Sequence, residues 1–126
     1  MIRHVLLVDP DKDFTKSLKL SLANIGLKST VAADGNTGLA YALCRKFAAI
    51  LTNLHLPKRS GILLIEYLRQ NTELDLPIYL FANRESERIR RYAELLDVEA
   101  VYTKPIDLDC LSKSIESKIC LAMGDS

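Results

Sequence analysis

One stretch decides the fold: AILTNLHLP, which covers residues 49–57. Its first residues are apolar and partly β-branched, and a loop that closes with Pro57 follows them. A short apolar run of this kind is typical of a central strand in a parallel sheet, because helices cover such a strand on both faces. Open α/β sheets place their chemistry at the carboxyl ends of their strands. Asn53 therefore lies where the functional site of such a protein is expected.

Strand-like and helix-like segments alternate along the whole chain. The predicted strands cover residues 4–8, 27–32, 48–51, 77–81 and 99–103. The predicted helices cover residues 37–46, 62–71 and 86–96, and two more follow N-caps at Asp11 and Asp107. Asp is a favourable N-cap, and Gly26 is expected to end the first helix. Five alternations of strand and helix predict an α/β fold, a doubly wound parallel sheet with helices on both faces.

The composition favours one soluble domain. The chain has 126 residues, of which 48% are hydrophobic, and its formal net charge is +1. We expect a domain over residues 1–123, with residues 124–126 as a tail or as the start of a linker to an effector domain. The mixed charges offer no basic patch for nucleic acid, and neither a membrane span nor a signal-peptide pattern is present. These features predict a cytoplasmic protein.

The three cysteines lack the spacing of metal ligands; they are Cys44, Cys110 and Cys120. An odd number of cysteines without such spacing is typical of small hydrophobic side chains in a reducing cytosol. We therefore predict that these thiols are half-buried, and a redox role is the alternative.

The sequence carries no pattern that is typical of an enzyme. Gly35 and Gly38 are a lone pair of glycines, which match neither the dinucleotide-binding nor the P-loop fingerprint. No Ser-centred nucleophile elbow is present, and His4 and His55 are isolated from any candidate nucleophile. We therefore predict no catalytic residue, no cofactor and no metal site.

Four short motifs carry a resemblance to a known family. They are VLLVD at residues 5–9, LHLP and then SG within residues 54–61, LPI at residues 76–78, and YTKP at residues 102–105. In this order and spacing they resemble the receiver domain of bacterial two-component response regulators. The resemblance spans the whole chain and implies the flavodoxin-like (βα)5 fold with strand order 2-1-3-4-5. It also implies a cis bond between Lys104 and Pro105.

Receivers of this family accept a phosphoryl group on an aspartate at the end of the third strand. A magnesium ion assists, held by that aspartate and by an acidic pair after the first strand. The resemblance implies that the phosphoacceptor position falls on Asn53 and that the acidic pair falls on Asp9 and Pro10. The Ser or Thr that contacts the phosphoryl group falls on Ala82, and the contacting lysine is Lys104.

Several of these positions carry side chains that cannot perform the family's steps. An amide at Asn53 is a poor nucleophile and cannot form the acyl phosphate that a carboxylate forms. Magnesium requires hard oxygen ligands, and the side chain of Pro10 supplies none. Ala82 cannot hydrogen-bond a phosphoryl oxygen, and Val101 occupies the position of the family's switch aromatic, with Tyr102 one position later. We therefore expect a degenerate receiver that phosphorylation does not switch.

Asp9 and Lys104 then have a structural role. We predict that they form an ion pair or a hydrogen-bonded pair at the carboxyl edge of the sheet, with Asn53 as a neutral bridge between them. A site with fewer carboxylates also avoids the like-charge repulsion that several clustered carboxylates would create without metal.

If phosphorylation no longer switches the domain, its function must depend on a surface that contacts a partner. The resemblance implies a face made of the fourth helix, the fifth strand and the fifth helix, where we expect Arg88, Arg91, Tyr92 and Tyr102 to contact a partner. A solvated helix face with pairs such as Glu87–Arg91 explains these charges equally well.

The predicted function is that of a phosphorylation-independent interaction module, the N-terminal regulatory domain of a response regulator that controls transcription. Its partner would be another protein or a second copy of the chain, and DNA would be bound only through an additional C-terminal domain. The alternative is a sensor that binds a small molecule or an anion at the carboxyl ends of the strands.

Overall fold

The computed structural model describes residues 2–124, with side chains through Leu121. Within this part of the chain, five strands alternate with five helices. The strands are β1 His4–Val8, β2 Lys28–Ala32, β3 Ala49–Asn53, β4 Ile78–Ala82 and β5 Ala100–Thr103. The helices are α1 Lys12–Asn24, α2 Gly35–Cys44, α3 Gly61–Asn71, α4 Glu87–Leu95 and α5 Leu108–Gly124. All strand pairs are parallel, in the order β2-β1-β3-β4-β5. The predicted fold and strand order are therefore confirmed.

Two apolar layers cover the two faces of the sheet. One layer joins the sheet to α1 and α5 and contains Leu18 and Ile115; the other joins it to α2 and α3 and contains Ala42 and Leu64. Every residue of β3 and β4 is buried. Strands covered on both faces must be apolar at successive positions, which explains the continuous apolar run that opens the stretch at residues 49–57.

The predicted caps of the first and last helices are confirmed. Asp11 caps α1 because its Oδ1 accepts a hydrogen bond of 3.1 Å from the backbone N–H of Phe14. Gly26 follows the end of α1 with φ of 81°, a conformation that glycine adopts without a steric penalty. Asp107 accepts backbone hydrogen bonds at the start of α5, chiefly from Cys110, and these bonds lower the pKa of its carboxyl group.

The second helix begins earlier than its predicted start at residue 37. Asp34 is its N-cap and accepts a hydrogen bond of 2.7 Å from the backbone N–H of Thr37, which lowers the pKa of the Asp34 carboxyl group. The glycine and asparagine at positions 35 and 36, which resemble turn residues, thus form the first turn of α2. Gly35 is required there because a Cβ would lie 2.0 Å from the backbone oxygen of Arg59.

Arg69, on α3, ties together two loops at the amino edge of the sheet. Its guanidinium group donates hydrogen bonds to the carbonyl oxygens of Leu74 and Leu76, which precede β4. It also donates to the carbonyl oxygens of Leu96 and Asp97, which follow α4. One side chain therefore satisfies four loop carbonyls that no strand or helix pairs.

The prediction of half-buried cysteines is wrong. Cys44, Cys110 and Cys120 are all exposed, at the end of α2 and on the outer face of α5. Hydropathy indicates how apolar a side chain is but not which side of a helix it occupies. The Asp107 carboxylate accepts a hydrogen bond from the side chain of Cys110 and raises the pKa of the Cys110 thiol. This thiol is therefore less readily ionised than usual.

Helix α5 extends through Gly124, and residues 125 and 126 of the predicted tail lie outside the described residues. The predicted domain boundary stays a prediction. No helix in the described part of the chain has both the length and the apolar character that crossing a membrane requires.

His4 lies at the start of β1, at the amino edge of the sheet, and its surroundings lower its pKa. Its Nε2 lies 2.7 Å from Thr30 Oγ1, and its ring meets the Phe47 ring edge to face at 5.4 Å between centroids. Burial lowers the pKa of the imidazole, and the positive charges of Arg45, Lys28 and Lys19 lower it further. The folded protein therefore resists protonation of His4.

This shift makes stability depend on pH. Because the folded state binds the His4 proton less readily than the unfolded state, the free energy of unfolding should fall as pH decreases from about 7.5 to about 5.5. The variant His4→Gln should show a shallower fall in urea titrations at these two pH values. His55→Gln removes the other, exposed histidine and should keep the wild-type slope; equal slopes in His4→Gln and wild type would contradict this account.

Candidate functional site

The carboxyl ends of β1, β3, β4 and β5 meet at one edge of the sheet. This carboxyl-edge site consists of Asp9, Asn53, Ala82 and Lys104. Asp9 follows β1 and is 2% exposed. Its Oδ1 accepts a hydrogen bond of 2.9 Å from the backbone N–H of Asp11, so the chain turns tightly around the carboxylate before α1 begins. A buried carboxylate of this kind requires a compensating positive charge.

Lys104 provides that charge. Its Nζ lies 2.8 Å from Asp9 Oδ2, and the side chain of Lys104 is 17% exposed. The predicted ion pair is therefore confirmed, and the Lys104–Pro105 bond is cis as the resemblance implied. The ammonium group also lies 4.1 Å from the centroid of the Phe14 ring, so a cation–π contact supports it. This contact joins α1 to the end of β5, so no local sequence pattern reveals it.

Asn53 does not bridge this ion pair, contrary to the prediction. It is the last residue of β3, and its Nδ2 donates a hydrogen bond of 2.9 Å to the carbonyl oxygen of His55. Its Oδ1 is buried and accepts no hydrogen bond from the described residues. Gly61 packs against it, since a Cβ there would lie 2.2 Å from the backbone oxygen of Asn53. The side-chain amide of Asn53 is therefore hydrogen-bonded to the backbone of the loop that follows β3 rather than to Asp9.

Pro10 and Ala82 bring no polar side-chain atom to the site. Pro10 is exposed between two aspartates, and its ring carries no ligand atom. Ala82 ends β4 and is buried, and its carbonyl oxygen accepts a hydrogen bond of 2.8 Å from the backbone N–H of Lys104. Ala82 thus positions the backbone of Lys104 at the end of β5.

The two candidate switch residues of β5 lie on opposite faces of the sheet. Val101 packs in the apolar layer with Leu80 and lines a groove beside α4. Tyr102 packs in the other layer, where its ring lies 6.5 Å from that of Phe81 and 6.2 Å from that of Tyr79. Successive side chains of a strand point to opposite faces, so Tyr102 cannot occupy the groove beside α4.

The outer surface of α4 combines charges with one prominent apolar side chain. The predicted Glu87–Arg91 pair is present at 3.4 Å, and the guanidinium of Arg88 lies 5.9 Å from the centroid of the Tyr92 ring. Leu95 lies at the same surface and is 81% exposed. Leu95 and Leu96 are neighbours in the sequence, and hydropathy alone does not indicate that Leu96 is partly buried while Leu95 is exposed. An exposed leucine beside a tyrosine and arginines is a composition found at protein interfaces.

Among the residues that the structure describes, no three His, Cys, Asp or Glu side chains lie close enough to hold a metal ion. At the carboxyl-edge site Asp9 contributes one carboxylate, and both of its oxygens already accept hydrogen bonds. The donor set therefore does not fit the magnesium ion that the family resemblance implied, since this ion is bound by several oxygen ligands.

A five-stranded parallel sheet in this order, with an acid and a lysine meeting at its carboxyl edge, defines a receiver-like signalling domain. The sequence model of the family "Response regulator receiver domain" matches residues 5–116. The chain belongs to this family. Receiver domains of response regulators are signalling modules that interact with other proteins.

Transcriptional regulators and a receiver structure are similar to the chain. The transcriptional regulatory protein DltR of Streptococcus agalactiae is 30% identical over 83% of this chain and 46% of its own length. The regulatory protein YkoG of Bacillus subtilis is 28% identical over 92% of this chain and 50% of its own length. The chain thus spans about half the length of these relatives. A CheY-like receiver domain from Methanospirillum hungatei superimposes with a TM-score of 0.90 at 21% identity, with full coverage of both chains.

The ion pair between Asp9 and Lys104 should contribute strongly to stability. The variant Lys104→Met leaves a buried carboxylate without its partner, and we expect the free energy of unfolding to fall by about 3 kcal/mol at neutral pH. The double variant Asp9→Asn/Lys104→Met should lose less than the sum of the two single losses. Urea unfolding monitored by circular dichroism measures all of these values.

Lys118→Met is the matched control, because it removes an exposed ion pair with Glu99 whose separation is 3.0 Å. The cost of this change should stay below about 1 kcal/mol. Equal losses for the two lysine variants would contradict a special role of the Lys104 pair.

Proposed function

We propose that the chain is a receiver whose output does not depend on phosphorylation of an aspartate, and that it acts as a protein interaction module. In this proposal Asn53 occupies the position of the phosphoacceptor. An amide is not a nucleophile of the kind that forms an acyl phosphate, so no phosphoryl group can be stored there.

The observation that carries the proposal is that the side chain of Lys104 is already engaged by other groups of the chain. Lys104 is the group that would contact a phosphoryl oxygen, and its Nζ is engaged by Asp9 at 2.8 Å and by the Phe14 ring. A phosphoryl group would have to break this pair and leave the Asp9 carboxylate buried without its counterion. Ala82 has no hydroxyl group whose hydrogen bond to the phosphoryl group would offset that loss. The Asp9–Lys104 pair therefore leaves Lys104 unavailable to a phosphoryl group.

Magnesium does not fit the same site. The single carboxylate of Asp9 is neutralised by Lys104, and neither Pro10 nor Ala82 carries an oxygen in its side chain. A divalent cation would also meet the positive charge of the ammonium group. The absence of a usable metal site and the absence of a nucleophile support one another, because phosphoryl transfer in this family needs both.

The similarity to regulators about twice as long supports a place in transcription control. We propose that the chain is the regulatory domain of a transcriptional regulator, with an effector domain that follows it and contacts DNA. The mixed charge of the chain, +1 in total, is consistent with a domain that does not bind DNA itself.

We propose that the surface of α4 contacts the partner. Leu95 is 81% exposed there, and Arg88, Arg91 and Tyr92 surround it. Tyr102, the fourth residue that we expected at the interface, lies on the α5 side of β5 and would contact a partner only through the groove beside α5. The proposed partner is a second copy of the chain.

The sensor alternative rests on one observation, the Oδ1 of Asn53. This oxygen is buried and accepts no hydrogen bond from the described residues, so a ligand with an N–H or O–H group could satisfy it. A ligand of this kind would shift the amide signals of Asn53 and His55 without breaking the Asp9–Lys104 pair.

The first test is the response to magnesium and to beryllofluoride, a mimic of the phosphoryl group. We expect the melting temperature to change by less than one degree with millimolar magnesium, because a ligand stabilises only a fold that binds it. The amide NMR signals of Asp9, Asn53, Ala82 and Lys104 should not shift when beryllofluoride is added. A rise of several degrees, or saturable shifts at these residues, would overturn the proposal.

A variant that restores the family's groups is the matched positive control. Pro10→Asp/Asn53→Asp/Ala82→Thr supplies two carboxylates and one hydroxyl at the same site. It should gain both a magnesium-dependent rise in melting temperature and shifts with beryllofluoride. If this variant shows neither response, the Asp9–Lys104 pair, rather than the missing groups, prevents binding at the site.

The second test is self-association, measured by sedimentation velocity over a range of concentrations. We expect a reversible dimer in the high micromolar range that Leu95→Asp abolishes, because a carboxylate in an interface loses its hydration. Leu43→Asp changes a leucine on α2 that is 50% exposed and should leave the dimer intact. A chain that stays monomeric, or a dimer that Leu43→Asp breaks instead, would contradict the proposed contact.

A further inference from the structure

The outer sides of α2 and α3 form a surface that has no part in the function proposed above. These two helices pack side by side on the same face of the sheet. Of the seven large hydrophobic side chains that are exposed among the described residues, three lie here: Leu43 of α2 is 50% exposed, and Leu63 and Tyr67 of α3 are 52% and 37% exposed. Exposed apolar side chains that gather on adjoining helices mark contact sites more often than scattered ones do. We call this surface the α2–α3 face.

Arg59 links the two helices across the α2–α3 face. Its Nε donates a hydrogen bond of 3.2 Å to Oδ1 of Asn36, in the first turn of α2. Its guanidinium carbon lies 5.7 Å from the centroid of the Tyr67 ring, on α3. Leu63 lies one turn before Tyr67 on the same side of α3, and Leu43 follows Asn36 by about two turns on the same side of α2. The apolar side chains and the arginine therefore share one face.

The loop that carries Arg59 is fixed against the start of α2. The carbonyl oxygen of Pro57 accepts hydrogen bonds from the backbone N–H groups of Gly35, at 3.1 Å, and of Arg59, at 2.8 Å. Gly35 packs so closely against the backbone of Arg59 that no Cβ fits between them. The arginine is thus positioned before any partner arrives, which lowers the entropic cost of binding.

The unpaired charges of the α2–α3 face are positive. Among the described side chains, neither Arg59 nor the exposed Lys58 forms a salt bridge, and α2 contains no charged residue. Lys58 acts on the carboxylate of Asp34, whose two oxygens already accept hydrogen bonds at the start of α2. The one acid of α3 is Glu66, which lies one turn before Arg69 on the side of α3 that faces the loop after α4. An acidic partner would supply the counterion that Arg59 lacks.

A second copy of the chain does not fit this face. A two-fold contact would bring two α2–α3 faces together, and each carries Lys58 and Arg59 without counterions. Like charges at such a contact repel one another.

We propose that the α2–α3 face binds an acidic segment of another protein. Apolar side chains of this segment would pack on Leu43, Leu63 and Tyr67, and one of its carboxylates would pair with the guanidinium of Arg59. The inference goes beyond the proposed function, because it assigns a second surface and a partner of different chemistry from the one at α4.

The test is a selection from a displayed library of random peptides on the immobilised chain. Peptides that bind are passed over the variant Leu43→Ser/Leu63→Ser, and those that this variant retains are discarded. We expect the remaining peptides to combine leucine, isoleucine or phenylalanine with aspartate or glutamate. Synthetic copies of them should produce saturable amide NMR shifts at Asn36, Leu43, Leu63 and Tyr67. The proposal is overturned if no peptide remains, or if the remaining peptides carry no acidic residue.

Leu20→Ser/Leu121→Ser is the matched control, because it changes leucines of α1 and α5 that are 62% and 69% exposed. This variant should bind the selected peptides with unchanged affinity, and a loss equal to that of Leu43→Ser/Leu63→Ser would contradict a specific face. Arg59→Gln should weaken binding at least fivefold. Lys12→Gln, which removes an exposed positive charge at the start of α1, should have little effect.

Two further measurements separate the α2–α3 face from other surfaces and other partners. Leu43→Asp should abolish peptide binding and keep the dimer, whereas Leu95→Asp should abolish the dimer and keep peptide binding. Failure of one proposal is thereby distinguished from failure of the other. Sedimentation with phosphatidylglycerol vesicles tests a membrane as the partner, and vesicle binding that Leu43→Ser/Leu63→Ser abolishes would overturn the assignment to a protein segment.

Discussion

The carboxylate of Asp9 is the constraint on which the functional edge of this domain depends. It is almost fully buried at the end of a central strand, where an unpaired charge would cost several kcal/mol. Lys104 compensates it from the end of an edge strand, 95 residues further along the chain. The pair therefore joins the first and last strands of the sheet at the edge where receivers carry out their chemistry. The counterion of the buried carboxylate at this edge is therefore a lysine of the chain itself.

The neighbouring residues are consistent with this internal neutralisation. With one acid and one base in contact, the site carries no excess charge, and an amide at Asn53 adds none. Phe14 lies under the ammonium group and packs against Phe81 at 5.3 Å between ring centroids, so the ion pair rests on the apolar layer that α1 shares with the sheet. Charge balance and core packing thus favour the same arrangement, which makes the pair costly to open.

Much of this architecture follows from local rules that the sequence displays. Apolar runs identified the strands, and Asp11 and Asp107 identified two helix starts, because the side chains that act there are close in sequence. The ion pair was also predictable, since parallel strands bring Asp9 and Lys104 to one edge. Contacts that depend on side-chain direction were not predictable. Asn53 turns to the carbonyl oxygen of His55 rather than to the ion pair, and only the path of the loop determines this choice.

The placement of the aromatic ring on β5 has a further consequence for how the domain could signal. A strand presents alternate residues to opposite faces, so a ring at Tyr102 instead of Val101 lies in the layer with Tyr79 and Phe81. Burial raises the pKa of the Tyr79 hydroxyl to about 12, as expected for a ring enclosed in that layer. The groove beside α4 then contains a valine, whose short branched side chain cannot swing between a buried and an exposed position as a large ring can. Under the proposal of a receiver that phosphorylation does not switch, this valine leaves the surface of α4 without the moving ring that would connect it to the carboxyl edge. Under the same proposal, a partner that binds this surface responds to its own concentration or to a second ligand rather than to chemistry at Asn53.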